Sequence, residues 1–104
     1  MINYQVFLTL NAVRDLKQVV EYLTEELKNP AAATRLVNTI KAEIIKLTEF
    51  PYRYAPVKDE RLAGQGFRLM VVDKHLIFYL INEREKTVSV IRILYGKRNW
   101  INLL

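Results

Sequence analysis

Cysteine is absent from these 104 residues and histidine occurs once. The two scarcities exclude a disulfide framework, a thiol nucleophile and a zinc site built from thiolates and imidazoles. Glycine and proline number three each, and no repeat, low-complexity tract or linker interrupts the chain, so a single domain over residues 1–104 is expected. A chain of this length buries roughly 60 to 70% of its unfolded surface, enough for one core without staples. Long hydrophobic runs are missing too. Lys, Arg, Asp or Glu breaks each apolar stretch well short of the roughly 20 residues that span a bilayer. Residues 1–10 alternate polar and apolar side chains, without the basic start and apolar run of a signal peptide. The expectation is therefore a cytoplasmic protein with no membrane partner and no cofactor or small-molecule ligand.

Acidic residues are scarce in one half only. Residues 1–50 carry six Lys/Arg and six Asp/Glu, whereas residues 51–104 carry ten and five, so the net charge of +5 lies wholly in the second half. Charge gathered in this way points to an anionic partner, either nucleic acid or an acidic protein surface.

The hydrophobic pattern predicts an α+β fold. Residues 4–10 alternate with period 2, a strand. Asn11 is a candidate cap for a helix whose stripe is Val13, Leu16, Val20, Leu23 and Leu27. Asn29-Pro30 stops that helix and starts a second one, with Ala33, Leu36, Val37, Ile40, Ile44 and Leu47 on one face, ending at Phe50-Pro51. The two helices form a hairpin. Residues 52–65 read as a mobile loop with a short strand at 54–57. Residues 67–72, 75–81 and 87–95 then form an antiparallel β-sheet meander packed on the helices, followed by a short tail.

Asp73-Lys74 is the right length for a two-residue hairpin turn. If Val72 faces His75, then Met70 pairs with Ile77 and Arg68 with Tyr79, so Arg68, His75 and Tyr79 share one sheet face. The opposite face, with Phe67, Leu69, Val71, Leu76, Phe78 and Leu80, is expected to accept the helices, leaving the first face free to work. The face of Arg92 depends on the length of the turn at 82–86, because a one-residue slip exchanges every side chain across the sheet.

The residues with chemical reach cluster in the basic half. Metal-free cleavage of RNA through its own 2'-hydroxyl needs a proton acceptor, cations on the phosphate and a proton donor to the leaving oxygen. Arg68 and Arg98 suit the phosphate, and His75 or Tyr95 the proton transfers. Arg68, Tyr79, Arg92, Lys97 and Arg98 equally suit the binding of an anionic target or protein partner. Packing competes with these roles: Tyr79 and Tyr95 are good strand formers, and Trp100 suits a hydrophobic anchor. The Gly64-Gln65-Gly66 stretch precedes a strand rather than a helix, which excludes a dinucleotide loop. A simple nucleic-acid-binding module is disfavoured, since neither stacking aromatics of the kind RNA-binding sheets use nor a recognition helix rich in cations is visible.

Three stretches, residues 29–33, the hairpin from Gly66-Phe67-Arg68-Leu69 to His75-Leu76-Ile77-Phe78-Tyr79, and Ile91-Arg92-Ile93-Leu94-Tyr95-Gly96-Lys97-Arg98-Asn99-Trp100, resemble the RelE/ParE superfamily of type II toxin-antitoxin toxins. The resemblance runs over nearly the whole chain. It implies a small α+β fold and a growth-inhibiting toxin of a plasmid-stabilising module, neutralised by a cognate antitoxin. RelE-like members cut messenger RNA on the ribosome; ParE-like members inhibit DNA gyrase. Arg98 matches the arginine in the Gly-Lys-Arg turn of the nucleases and Arg68 falls near their first catalytic lysines. Leu76, however, stands where they place a middle-strand arginine, and Ile101-Asn102-Leu103-Leu104 replaces their basic or aromatic C-terminal residues. The hairpin and the Arg92-to-Gly96 stretch look closer to the ParE-like branch, so gyrase inhibition is the first expectation and an mRNA endoribonuclease the second.

Overall fold

A computed structural model describes residues 3–96 and 103–104. Strand β1 (Gln5–Leu8) leads into helix α1 (Leu10–Glu21), a π-helical turn (Tyr22–Glu26) and helix α2 (Pro30–Ile45). Tight helical turns at Lys46–Thr48 and Pro51–Arg53 and the short helix α3 (Glu60–Gly64) follow, then strands β2 (Arg68–Val72), β3 (His75–Asn82) and β4 (Thr87–Tyr95). The α+β order is the expected one. The meander β2-β3-β4 is antiparallel, and β1 joins it parallel to β4, giving a mixed sheet in the order β1-β4-β3-β2.

Local chemistry explains most boundaries. The Asn29 side chain accepts from the Ala32 amide at 3.1 Å with Pro30 in the first helical turn, so α2 starts where the sequence predicts. For α1 the cap is Thr9 rather than Asn11: its hydroxyl accepts from the Ala12 amide at 3.1 Å and donates to the Ile91 carbonyl at 2.8 Å. The inner face is also offset from the predicted stripe. Ala12 and Asp15 become its buried residues, while Val13 and Leu27 of the predicted stripe are exposed. In the β2-β3 turn both Asp73 and Lys74 have positive φ, the requirement of the tight turn that suits strand twist. Gly96 closes β4 over that turn. Its amide donates to the Lys74 carbonyl at 2.8 Å, and a Cβ there would lie 2.9 Å from the same oxygen.

The predicted register is the observed one: Arg68 opposite Tyr79, Met70 opposite Ile77, Val72 opposite His75. The predicted faces are reversed. The helices pack on the side carrying Met70, Val72, Ile77 and Tyr79, where Leu36, Ile40, Ile44 and Leu47 meet Val88, Val90 and Ile93. The Phe67 and Phe78 side is covered instead by Val57 and Leu62, with Leu103 and Leu104 against it. Both faces are apolar enough to be buried, and the polar atoms that marked one as open are satisfied where they lie. The buried Tyr79 hydroxyl donates to the Pro51 carbonyl at 2.7 Å, and His75 Nδ1 donates to the Asp73 carbonyl at 2.9 Å.

The expected loop at 52–65 is folded as well. Asp59 caps α3 through the Leu62 amide at 3.0 Å, Pro56 bridges Arg68, and Val57 and Leu62 are buried. A helix of five residues is too short to show periodicity in the sequence.

Candidate functional site

The candidate residues fall into two regions. At one end of the sheet, where β3 begins and β4 ends, a groove of about 850 Å³ opens between the helical hairpin and the strands. Val19, Leu23, Leu27, Leu36 and Ile93 give it an apolar floor, and Arg35, Asp73, His75 and Tyr95 also line it. The π-helical turn widens the helix at this point, a local irregularity that often accompanies a functional surface. His75 and Tyr95 are cross-strand partners, their rings edge to face at 5.7 Å. His75 is buried with Nδ1 used on the backbone, so Nε2 is the nitrogen left for other work.

Arg68 lies elsewhere. Its Nη1 donates to the Tyr54 carbonyl at 2.6 Å and its guanidinium lies over the Tyr52 ring at 4.9 Å. It pairs with Tyr79, four positions along β3 from His75, a separation of roughly 13 Å at strand rise. The expected grouping of Arg68, His75 and Tyr79 on one face is therefore a shared face without a shared site. Tyr79 is fully buried, and burial pushes its phenol up to about 12.

Arg92 is held inside the structure. A β-bulge pairs Phe78 with Arg92 but Tyr79 with Val90, inserting Ile91 and turning the Arg92 side chain toward α1. There Nε and Nη2 donate to the two Asp15 oxygens at 2.7 and 2.8 Å, and Nη1 donates to the Leu103 carbonyl at 2.9 Å. Asp15 also accepts from the Ile93 amide at 3.0 Å, closing an N–H of β4 beyond the end of β1. The hydrogen bond to Asp15 raises the Arg92 pKa, against an opposing effect of burial.

Lys97 and Arg98 lie outside the described residues. Among the described residues, no group of three or more His, Cys, Asp or Glu is placed to hold a metal, and no helix is long and apolar enough to cross a membrane.

Near Arg68, the Glu83 carboxylate accepts from Tyr4 at 2.8 Å, from Tyr52 at 2.5 Å and from Lys86. The bonds from Lys86, Tyr52 and Tyr4 hold its carboxyl down at about 2, and the same carboxylate raises both phenols and the Lys86 ammonium. Sequence reasoning missed Asp15, Tyr52 and Glu83. Asp15 had one signal, a charge spaced with Ala12, Leu16 and Val19 on what proves the inner face.

Residues 6–100 match the family described as the ParE toxin of type II toxin-antitoxin systems. The chain belongs to this family. Solved structures agree on the fold. The chromosomal ParDE system of P. aeruginosa superposes with a TM-score of 0.74 at 17% identity, covering 93% of this chain and 100% of that one. The RelBE2 toxin-antitoxin complex of Mycobacterium tuberculosis gives 0.61 at 21% identity, covering 90% and 99%. The YoeB/ParE toxin of Agrobacterium tumefaciens gives 0.61 at 17%, covering 88% and 96%. A search of curated proteins finds no match. As a ParE-family toxin, the chain presents an open apolar groove and a separate arginine-aromatic rim on one small fold.

Proposed function

We propose that this toxin arrests growth by binding and blocking a protein, DNA gyrase, rather than by cutting RNA, and that a cognate antitoxin restrains it. One observation carries the choice: Arg68, a candidate cation for the phosphate, lies apart from the candidate proton carriers His75 and Tyr95. Arg68 is bound to the Tyr54 carbonyl, roughly 13 Å along the strand from His75. A ribonuclease site needs its cations and proton carriers around one phosphate. For the antitoxin, the groove between helices and sheet offers an apolar floor that suits one face of an amphipathic segment.

The alternative, a ribosome-dependent mRNA endoribonuclease, draws support from the adjacency of His75 and Tyr95, with Arg98 as its cation. Purified toxin is tested for inhibition of gyrase supercoiling and for ribosome-dependent messenger cleavage, with Arg98→Ala alongside. Inhibited supercoiling with intact messenger is the expected result. Codon-phased cleavage that disappears in the variant would replace this reading with the enzymatic one.

A further inference from the structure

The turn at Pro51–Arg53 presents two large aromatic side chains to solvent: Phe50 is 61% exposed and Tyr52 51%. Each ring carries an arginine, Arg53 lying over Phe50 at 5.6 Å and Arg68 over Tyr52 at 4.9 Å. We propose that this pair of arginine-capped rings is the surface by which the toxin grips its target, and that the target presents an acidic protein surface with an apolar side chain beside it. The proposal rests on the protein-blocking reading above.

The patch is built and held before any partner arrives. Tyr52 is fixed at its hydroxyl by Glu83 and across its face by Arg68, which is itself anchored on the Tyr54 carbonyl. Proline starts the turn, and the Tyr79 hydroxyl holds its Pro51 carbonyl from within the core. A fixed surface loses little conformational entropy on binding. Tyrosine, phenylalanine and arginine are also the residue types enriched at interface centres. A hollow of about 510 Å³ lined by Tyr4, Phe50, Tyr52 and Arg53 can take the apolar side chain.

Charge selects the class of partner. Among the described residues Arg53 makes no ion pair and Arg68 hydrogen-bonds only a neutral carbonyl, so both guanidinium charges are available to carboxylates. Glu83 is already matched by Lys86. Glu49 lines the same hollow, and its carboxylate repels phosphate and carboxylate alike, so the hollow suits the partner's apolar side chain and the acidic groups fall to the guanidinium side. Each ring also has a guanidinium over it, leaving less of it free for a stacked base.

Phe50→Ala, Arg53→Ala and Arg53→Glu change exposed side chains, and thermal midpoints check that the variants fold. Gyrase affinity, growth arrest on induction and binding to a single-stranded oligoribonucleotide are then compared with wild type. The proposal expects roughly tenfold weaker gyrase binding for each Ala variant, the size of an interface anchor, a larger loss for Arg53→Glu, and weakened growth arrest. Folded variants that arrest growth like wild type overturn it. If these substitutions abolish oligoribonucleotide binding instead, the partner is nucleic acid and the acidic-protein assignment fails. Should wild-type toxin not bind gyrase at all, the gyrase reading falls. Growth arrest then decides the surface alone, its loss in folded variants sustaining the proposal and its retention overturning it.

Discussion

Asp15 and Glu83 each gather three or more hydrogen bonds from distant parts of the chain, yet one sits under α1 at 5% exposure and the other on the surface at the β3-β4 turn. Asp15 joins α1 to β4 and, through Arg92, to the C-terminal residues. Glu83 joins Tyr4, just ahead of β1, to the Pro51–Arg53 turn and the β3-β4 turn. Counting bonds among the described residues makes them similar, three to Asp15 and four to Glu83. The environment does not, because water competes for every partner of Glu83 and for little of Asp15.

The sharpest way to break the comparison is to remove the inner carboxylate. Asp15→Ala leaves the largely buried Arg92 guanidinium without its counter-charge and should cost about 3 to 5 kcal/mol, enough to lower the melting midpoint of a small domain by more than roughly 10 °C. A midpoint within a few degrees of wild type would mean that water already reaches the pair. Next in size is Tyr79→Phe, which keeps the core volume but strands the Pro51 carbonyl; about 1 to 2 kcal/mol is expected from chemical denaturation. The Tyr79 phenol is raised from 10.0 to about 12, so its contribution is complete below pH 10 and fades as pH rises through 12. The variant should flatten that alkaline limb.

The smallest effect belongs to Glu83→Gln. Its folded carboxyl titrates at about 2 against 4.5 unperturbed, so the contribution is present above pH 4.5 and disappears as pH falls toward 2. Thermal melts across that window should show a shallower acid limb in the variant and a midpoint near wild type at neutral pH. A loss at neutral pH as large as that of Asp15→Ala would overturn the ranking of the two networks.

The candidate site was legible in part, and the reason differs from residue to residue. His75 and Tyr95 were both singled out, and the structure sets them edge to face as cross-strand partners of β3 and β4, a pairing fixed by the β3-β4 turn and the bulge at Phe78-Tyr79. Arg68 was singled out as a phosphate or partner contact; its packing partner, the Tyr52 ring, belongs to a segment read as a loop. Arg92 stayed ambiguous because a bulge, which no residue in β4 announces, decides where its side chain points. Asp15 was invisible to a search for apolar periodicity, being a charge at a buried helical position.

Composition, charge and periodicity by themselves determined the α+β order, the α2 cap at Asn29, the hairpin register and the basic second half, since each depends on residues near one another in the chain. Only the tertiary structure decided which sheet face meets the helices, that β1 runs parallel beside β4, and that Asp15 finds Arg92 and Glu83 finds Tyr4 and Tyr52. Both sheet faces are apolar and every polar group has several possible partners, so that choice rests on how all the elements pack at once.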